Sequence, residues 1–329
     1  MTESVTTVRQ DEYAALQEGV ALQERPDAGV LRLTGADRAD FLHRMTTNHI
    51  NGLRPGQAAV TVLTSPTARI LFVFTVICRQ EDLLLLAAPH QASALARHLR
   101  GQIFFMDQVS VEDLSAGYLQ LRLMGPAAGE ILQNLGFTLS QAPEGQWQEV
   151  DGLLAVRQMA YDVPGFALAV PTDKGAEWVE RLVQMGALRL EADAAYTARR
   201  VELGRPAPGH EVVEAYNPLE AGLAWACAEN KGCYTGQEII ARQITYDKVT
   251  KTLVGLRCQA PVAEGADILA DGRAVGTVTT AAFSPTLGEP VALAVVRRSH
   301  NGAGTPVTVD GIEAEVASLP LIQPEGSGS

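Results

Sequence analysis

The stretch DILADGRAVGTVTTAAF, Asp267 to Phe283, holds two β-like runs separated by Asp271-Gly272. An Asp-Gly pair between two such runs is a strong short-range signal for a hairpin turn. The pattern recurs on both sides. TLVGLRC (252–258) precedes it, and PVALAVVRR (290–298) and TPVTVDGIEAEVASL (305–319) follow, with a second turn at Asp310-Gly311. No helical period appears after about Thr250. Residues 251–322 are therefore predicted to form a small all-β barrel or sandwich. The tail over 323–329, rich in Gly and Ser, is predicted to be disordered.

Upstream of Thr250, strands and helices interleave. GVLRLTG (29–35) alternates as a half-buried strand, and Phe41, Leu42 and Met45 share one face of a helix after it. AAVTVLT, ILFVFTVICR and DLLLLAAP follow as strands. Pro89 opens a helix with Ala92, Leu95 and Leu99 on one face. VSVEDL and YLQLRLMG come next, then a helix carrying Ile131, Leu132 and Leu135 with Gly136 at its C′ position. LLAVRQMAY and FALAVP precede a last helix around Trp178 and Leu182. The fold class is α+β with mixed or antiparallel sheets over residues 1–250, in two subdomains, plus the C-terminal β unit.

The chain has 329 residues, of which 47% are hydrophobic and 19% charged, with a formal net charge of -12. That balance describes a globular protein and lacks the positive field that drives non-specific nucleic-acid or membrane binding. The N-terminus has no apolar signal-peptide core, and Ile70 to Cys78, the longest apolar run, is too short to span a bilayer. The four cysteines, Cys78, Cys227, Cys233 and Cys258, form no CxxC pair. Reduced thiols in a cytoplasmic protein are the expectation. No dinucleotide fingerprint, phosphate loop, HExxH or GxSxG occurs, and the six histidines lack metal-ligand spacing. No metal site is expected.

One stretch stands out chemically: KGCYTGQEIIAR, Lys231 to Arg242. Thr235-Gly236-Gln237-Glu238 fits a capping box that starts a helix, with Ile239 and Ile240 facing the core. Cys233 then sits two residues ahead of the helix, where the dipole and Lys231 would favour a thiolate. From the residues alone, a turn cysteine with no role is the competing reading.

The chain resembles the folate-binding superfamily of the glycine-cleavage T-protein (aminomethyltransferase), and within it the YgfZ-type branch. FLHRMTTNHINGLRPGQ is similar to the first folate-domain motif, RRVELGRPAPGHEVVEAYNPLEAGL to the central one, and AAFSPTLGEPVALAVV to the barrel motif. KGCYTGQE resembles the branch signature, formed here by Lys231, Gly232, Cys233, Tyr234, Thr235, Gly236, Gln237 and Glu238. The resemblance implies the folate-binding aminomethyltransferase-like fold, two α+β subdomains with a β-barrel behind them, and tetrahydrofolate or a derivative as cofactor. It implies that Glu202 pairs with the amino-pyrimidine edge of a pterin and that Met45, Thr46, Thr47 and Asn48 line the cleft. Arg242 would meet the glutamate tail or, equally, complement a helix dipole. Trp225 is expected in the core, and Phe283, Ser284 and Pro285 in a turn packed on the folate domain.

This sequence departs from the aminomethyltransferases at three places. Leu71, Phe72 and Val73 stand where that branch has paired aspartates, AYDVPG (160–165) replaces its glycine-rich loop, and Tyr196-Thr197 replaces an Arg-Asp pair. Hydrocarbon side chains cannot relay protons or stabilise a developing iminium. By resemblance, the expected role is support of iron–sulfur protein assembly or repair, including enzymes that modify tRNA, with Cys233 as the working thiol. Its partners would then be iron–sulfur proteins or their assembly factors. The rival readings are a folate-dependent aminomethyl or demethylating transferase, and a scaffold that binds no folate.

Overall fold

Strand Leu83–Ala87 is buried along its whole length, which explains an unbroken LLLLA with no alternation. It lies inside a five-stranded antiparallel sheet of order Ala58–Thr64, Ile70–Cys78, Leu83–Ala87, Val30–Thr34 and Ser110–Asp113. The structure, a computed structural model, describes residues 8–323. The disorder expected beyond 323 lies outside the described residues.

A second sheet has six strands in the order Leu188–Arg189, Ala21–Arg25, Tyr118–Met124, Gly165–Pro171, Leu153–Gln158 and Trp147–Val150. Its pairs are antiparallel except that between the first two. The sheets pack face to face through Val30, Ile77, Leu84 and Leu86 on one side and Leu154, Val156, Ala167 and Ala169 on the other. Helices Arg38–Met45 and Ala92–Gly101 cover the outer face of the first sheet through Phe41, Leu42, Leu95 and Leu99. Helices Ala128–Asn134 and Gly175–Gln184 cover the second through Ile131, Leu132, Trp178 and Leu182. The result is a helix–sheet–sheet–helix stack whose two halves share the first part of the chain, because Ala21–Arg25 joins one sheet and Val30–Thr34 the other.

Residues 251–317 form a closed six-stranded barrel, ordered Lys251–Cys258, Glu289–Arg297, Arg273–Ser284, Asp267–Ala270, Pro306–Val309 and Ile312–Ala317. Both expected hairpin turns are present. Asp271 and Gly272 have φ of 49° and 73°, and Asp310 and Gly311 50° and 81°, the two positive values that a type I′ turn requires. Closure leaves the barrel no free edge.

Two helices escape the sequence reading. Helix Gln10–Glu18 arises in the N-terminal stretch that reads as merely mixed and charged, and Glu12 lies on its buried face beside Tyr13 and Leu16. Helix Ala194–Glu202 buries Arg199, Arg200 and Glu202. Charged residues on a buried face erase the apolar stripe by which a helix is recognised. Glu202 is thus helical and internal. No helix among the described residues is long and apolar enough to cross a membrane.

Candidate functional site

The loop after helix Arg38–Met45 and the segment from Lys231 meet, although about 185 residues separate them. Lys231 Nζ donates to the carbonyls of His43, Thr46 and Asn48 at 2.8, 2.5 and 2.7 Å. An ammonium at a helix C-terminus satisfies carbonyls that the helix leaves unpaired and suits the dipole. Burial lowers the Lys231 pKa to about 8, while the three acceptors bind the charged form and oppose that shift. The ammonium spends its hydrogens on carbonyls, so none is donated to the thiol of Cys233. The Tyr234 ring lies 4.8 Å from Lys231 Nζ and is buried. Cys233, between these two anchors, is exposed, whereas Cys78, Cys227 and Cys258 are buried.

The expected capping box is absent. Helix Gln237–Thr245 has Gly236 as its N-cap, at φ +84°, with no side-chain cap. The left-handed glycine shifts the helix start by one residue, so Glu238 is at N2 and cannot close a box that needs N3. Glu238 pairs instead with Arg242 at 3.0 Å on the surface, so Arg242 is held on the solvent side of this helix. Thr235 contributes its carbonyl, which accepts from Thr64 Oγ1 at 2.6 Å. Ile240 enters the core and Ile239 does not.

Gly236 is required twice, by its φ and by space, since a Cβ there would lie 2.8 Å from Ser65 O and from Thr64 Oγ1. Gly236→Ala is expected to cost about 1–3 kcal/mol, measured by denaturant unfolding. Gly232→Ala, where a Cβ meets nothing within 4 Å, serves as the near-neutral control.

Thr47 is fully buried, donating to Ala226 O at 2.7 Å and accepting from Val62 N at 3.1 Å. Asn48 Nδ2 donates to Val60 O at 2.8 Å, and the residue lines a cavity of about 160 Å³ with Thr75, Gln158 and Trp225. Met45 packs in the core of the first subdomain. Trp225, expected in the core, is 44% exposed in the cavity wall, and its ring is 6.4 Å from that of Tyr161. A smaller cavity shares Thr75 and Gln158 and adds Arg25, Val73, Tyr161 and Asp162. Val73, at the place of the family's acids, thus gives this second wall a hydrocarbon surface. Leu71 and Phe72 line a separate depression near His98.

Glu202 is not part of this group. Its carboxylate is 0% exposed and is taken up by the protein. Tyr13 Oη donates to it at 2.6–2.7 Å, Ser284 Oγ at 2.5 Å, and Arg199 Nη1 lies 3.4 Å away. The expected turn at Ser284 does pack on the α+β region, through this bond. Glu202 therefore acts as a joint between the N-terminal helix, helix Ala194–Glu202 and the barrel. The resemblance assigns it a pterin partner; here its oxygens face protein donors instead.

Sequence reasoning missed Arg25, Thr75, Tyr161 and the buried Arg122–Asp162 pair at 2.6 Å. Arg25 ends the strand ALQER beside Gln23 and Glu24, a polar setting that gave no local signal for it. Tyr161 and Asp162 lie in the AYDVPG stretch that reads as a degraded loop. Among the described residues no group of three or more His, Cys, Asp or Glu could hold a metal ion.

Comparison with known proteins agrees with this architecture. The chain matches the GCVT N-terminal domain over residues 2–231 and the glycine cleavage T-protein C-terminal barrel domain over residues 251–323. A chloroplastic protein of Arabidopsis thaliana, named as an expected transferase, is 32% identical over 326 residues, 96% of this chain and 75% of that one. The aminomethyltransferase of Exiguobacterium sibiricum is 29% identical over 304 residues, 87% of this chain and 81% of that one. The crystal structure of glycine cleavage system aminomethyltransferase T from Bartonella henselae matches with a TM-score of 0.86 at 23% identity, covering 95% of this chain and 89% of that one. At that identity the likeness concerns the fold. The chain belongs to the glycine-cleavage T-protein family.

Proposed function

We propose that this protein is a YgfZ-type, tetrahydrofolate-binding member of the family that supports the assembly or repair of iron–sulfur proteins, tRNA-modifying enzymes among them, through Cys233. The observation that carries this reading is the pinned signature loop, in which Lys231 and Tyr234 are fastened to the fold while the thiol between them stays exposed. A loop anchored on both sides presents its cysteine at a fixed place to a partner, at little ordering cost.

The residues present suit an aromatic ring. A cavity of about 150 Å³ takes up benzene, so the 160 Å³ space beside Trp225 has room for a ring system, with a tail lying outside it. Asn48 and Gln158 supply amide groups in that wall, while Thr47 fixes the loop behind it. Bound folate would supply one-carbon or reducing chemistry. The protein's own groups bind and orient: Val73 puts hydrocarbon where the family's acids stand, and Asp162 in the same wall is already engaged by Arg122 and Tyr196.

The family and its aminomethyltransferase relatives favour a second reading, folate-dependent aminomethyl transfer. Two measurements separate them. Calorimetric titration with tetrahydrofolate is expected to give saturable binding, and its absence would leave only the scaffold reading. An aminomethyl-donor assay is expected to show no methylene transfer; measurable turnover would reinstate the enzyme.

A further inference from the structure

Arg25 ends its strand beside the smaller cavity. Its guanidinium donates to Gln120 Oε1 at 3.3 Å, and among the described residues it forms no salt bridge. The one carboxylate in the cavity wall, Asp162, is already engaged. It pairs with Arg122 Nε at 2.6 Å and accepts from Tyr196 Oη at 2.7 Å and Val163 N at 2.8 Å. Asp162 is thus paired with Arg122, and Arg25 faces the cavity with no carboxylate of its own among the described residues. Burial and the nearby Arg122 lower its pKa to about 10. Arg25 is half-buried, so its guanidinium keeps unused N–H donors for an anion that enters the cavity.

Two hydroxyls face the same space. Thr75 Oγ1 accepts from Gln158 Nε2 at 2.6 Å, which leaves its hydrogen to donate. Tyr161 makes no hydrogen bond among the described residues, and burial raises its pKa to about 12, so it remains a donor. We propose that Arg25, Thr75 and Tyr161 form an anion subsite for the carboxylate of a ligand whose remaining part lies along Trp225 and Asn48. A planar guanidinium matches a carboxylate in bidentate fashion. The subsite is small, about 20 Å³, little more than the roughly 10–15 Å³ that one water needs, so it takes only the terminal oxygens of a ligand. This inference rests on the reading that the cavity is the ligand site. The carboxylate comes either from folate itself or from a separate small acid.

The test is calorimetry on the full chain at constant ionic strength with three probes: tetrahydrofolate, tetrahydrobiopterin, which has no carboxylate, and benzoate. Wild type is expected to bind at least one carboxylate probe. R25Q should weaken that binding by about ten- to a hundredfold, the loss of a charged hydrogen bond, with tetrahydrobiopterin changed by less than about threefold. R25K should recover part of the loss. A loss seen with tetrahydrofolate alone assigns the carboxylate to folate; a loss seen with benzoate assigns it to a separate acid. Arg25-dependent benzoate binding without binding of either pterin would refute the folate reading and keep the subsite. Wild-type affinity of R25Q for every carboxylate probe would overturn the proposal, as would no carboxylate binding by wild type. If R25Q does not fold, the Y161F/T75V double variant takes its place, and unchanged carboxylate affinity there counts equally against the subsite.

Discussion

Cells that depend on a Cys233→Ala variant are expected to lose activity of their iron–sulfur enzymes, most of all under oxidative stress, while the purified variant keeps its fold. Cys233 is exposed, and its loop is held by Lys231, Tyr234 and Gly236 rather than by sulfur. Surface truncations of this kind change stability by about 0.5 kcal/mol or less. The chemistry of the four thiols should separate them cleanly. Burial raises the pKa of Cys78, that of Cys227 to about 12 and that of Cys258 to about 11, and it also blocks access. The thiolate is the reactive form. Native protein should therefore take up one equivalent of an alkylating reagent, at Cys233, and four only after unfolding. Full complementation by Cys233→Ala, or labelling of a buried cysteine as fast as Cys233, would remove the thiol from the mechanism.

Glu202→Ala is expected to have the largest effect on stability, about 3–5 kcal/mol, the usual cost of removing one member of a buried charged network. The change leaves Arg199 without its carboxylate and strips Tyr13 and Ser284 of their shared acceptor. Against a total stability of roughly 5–15 kcal/mol, such a variant is at the edge of folding. Urea unfolding measures it directly. Glu202→Gln keeps an acceptor for the two hydroxyls and should recover part of the loss. The family resemblance alone leads to a different expectation, a folded variant with weaker folate binding. A Glu202→Ala protein as stable as wild type would favour that view and show that the joint at Glu202 contributes little.

Much of the architecture was legible along the chain. Strand alternation and the Asp-Gly turns identified an all-β C-terminal unit, because in an antiparallel sheet each strand carries its own period and each type I′ turn its own residues; closure into a barrel rather than a sandwich was decided by the tertiary strand pairing. Apolar stripes at helical spacing identified helices Arg38–Met45, Ala92–Gly101, Ala128–Asn134 and Gly175–Gln184. The 231–238 segment was recognisable as a candidate site from its residue types. Its working parts were not. A capping box and a left-handed glycine start begin with the same letters, and only the close approach of Ser65 and Thr64 decides for Gly236.

Charged residues were where the sequence ran out. Nothing local to Lys231, Glu202 or Arg25 tells which groups each one contacts. Those neighbours come from far along the chain: His43 for Lys231, Tyr13 and Ser284 for Glu202, Gln120 for Arg25. An apolar residue announces its burial by local spacing, because any core will accept it. A charged one can be buried only where particular distant donors or acceptors replace water, so its role was settled by tertiary structure alone.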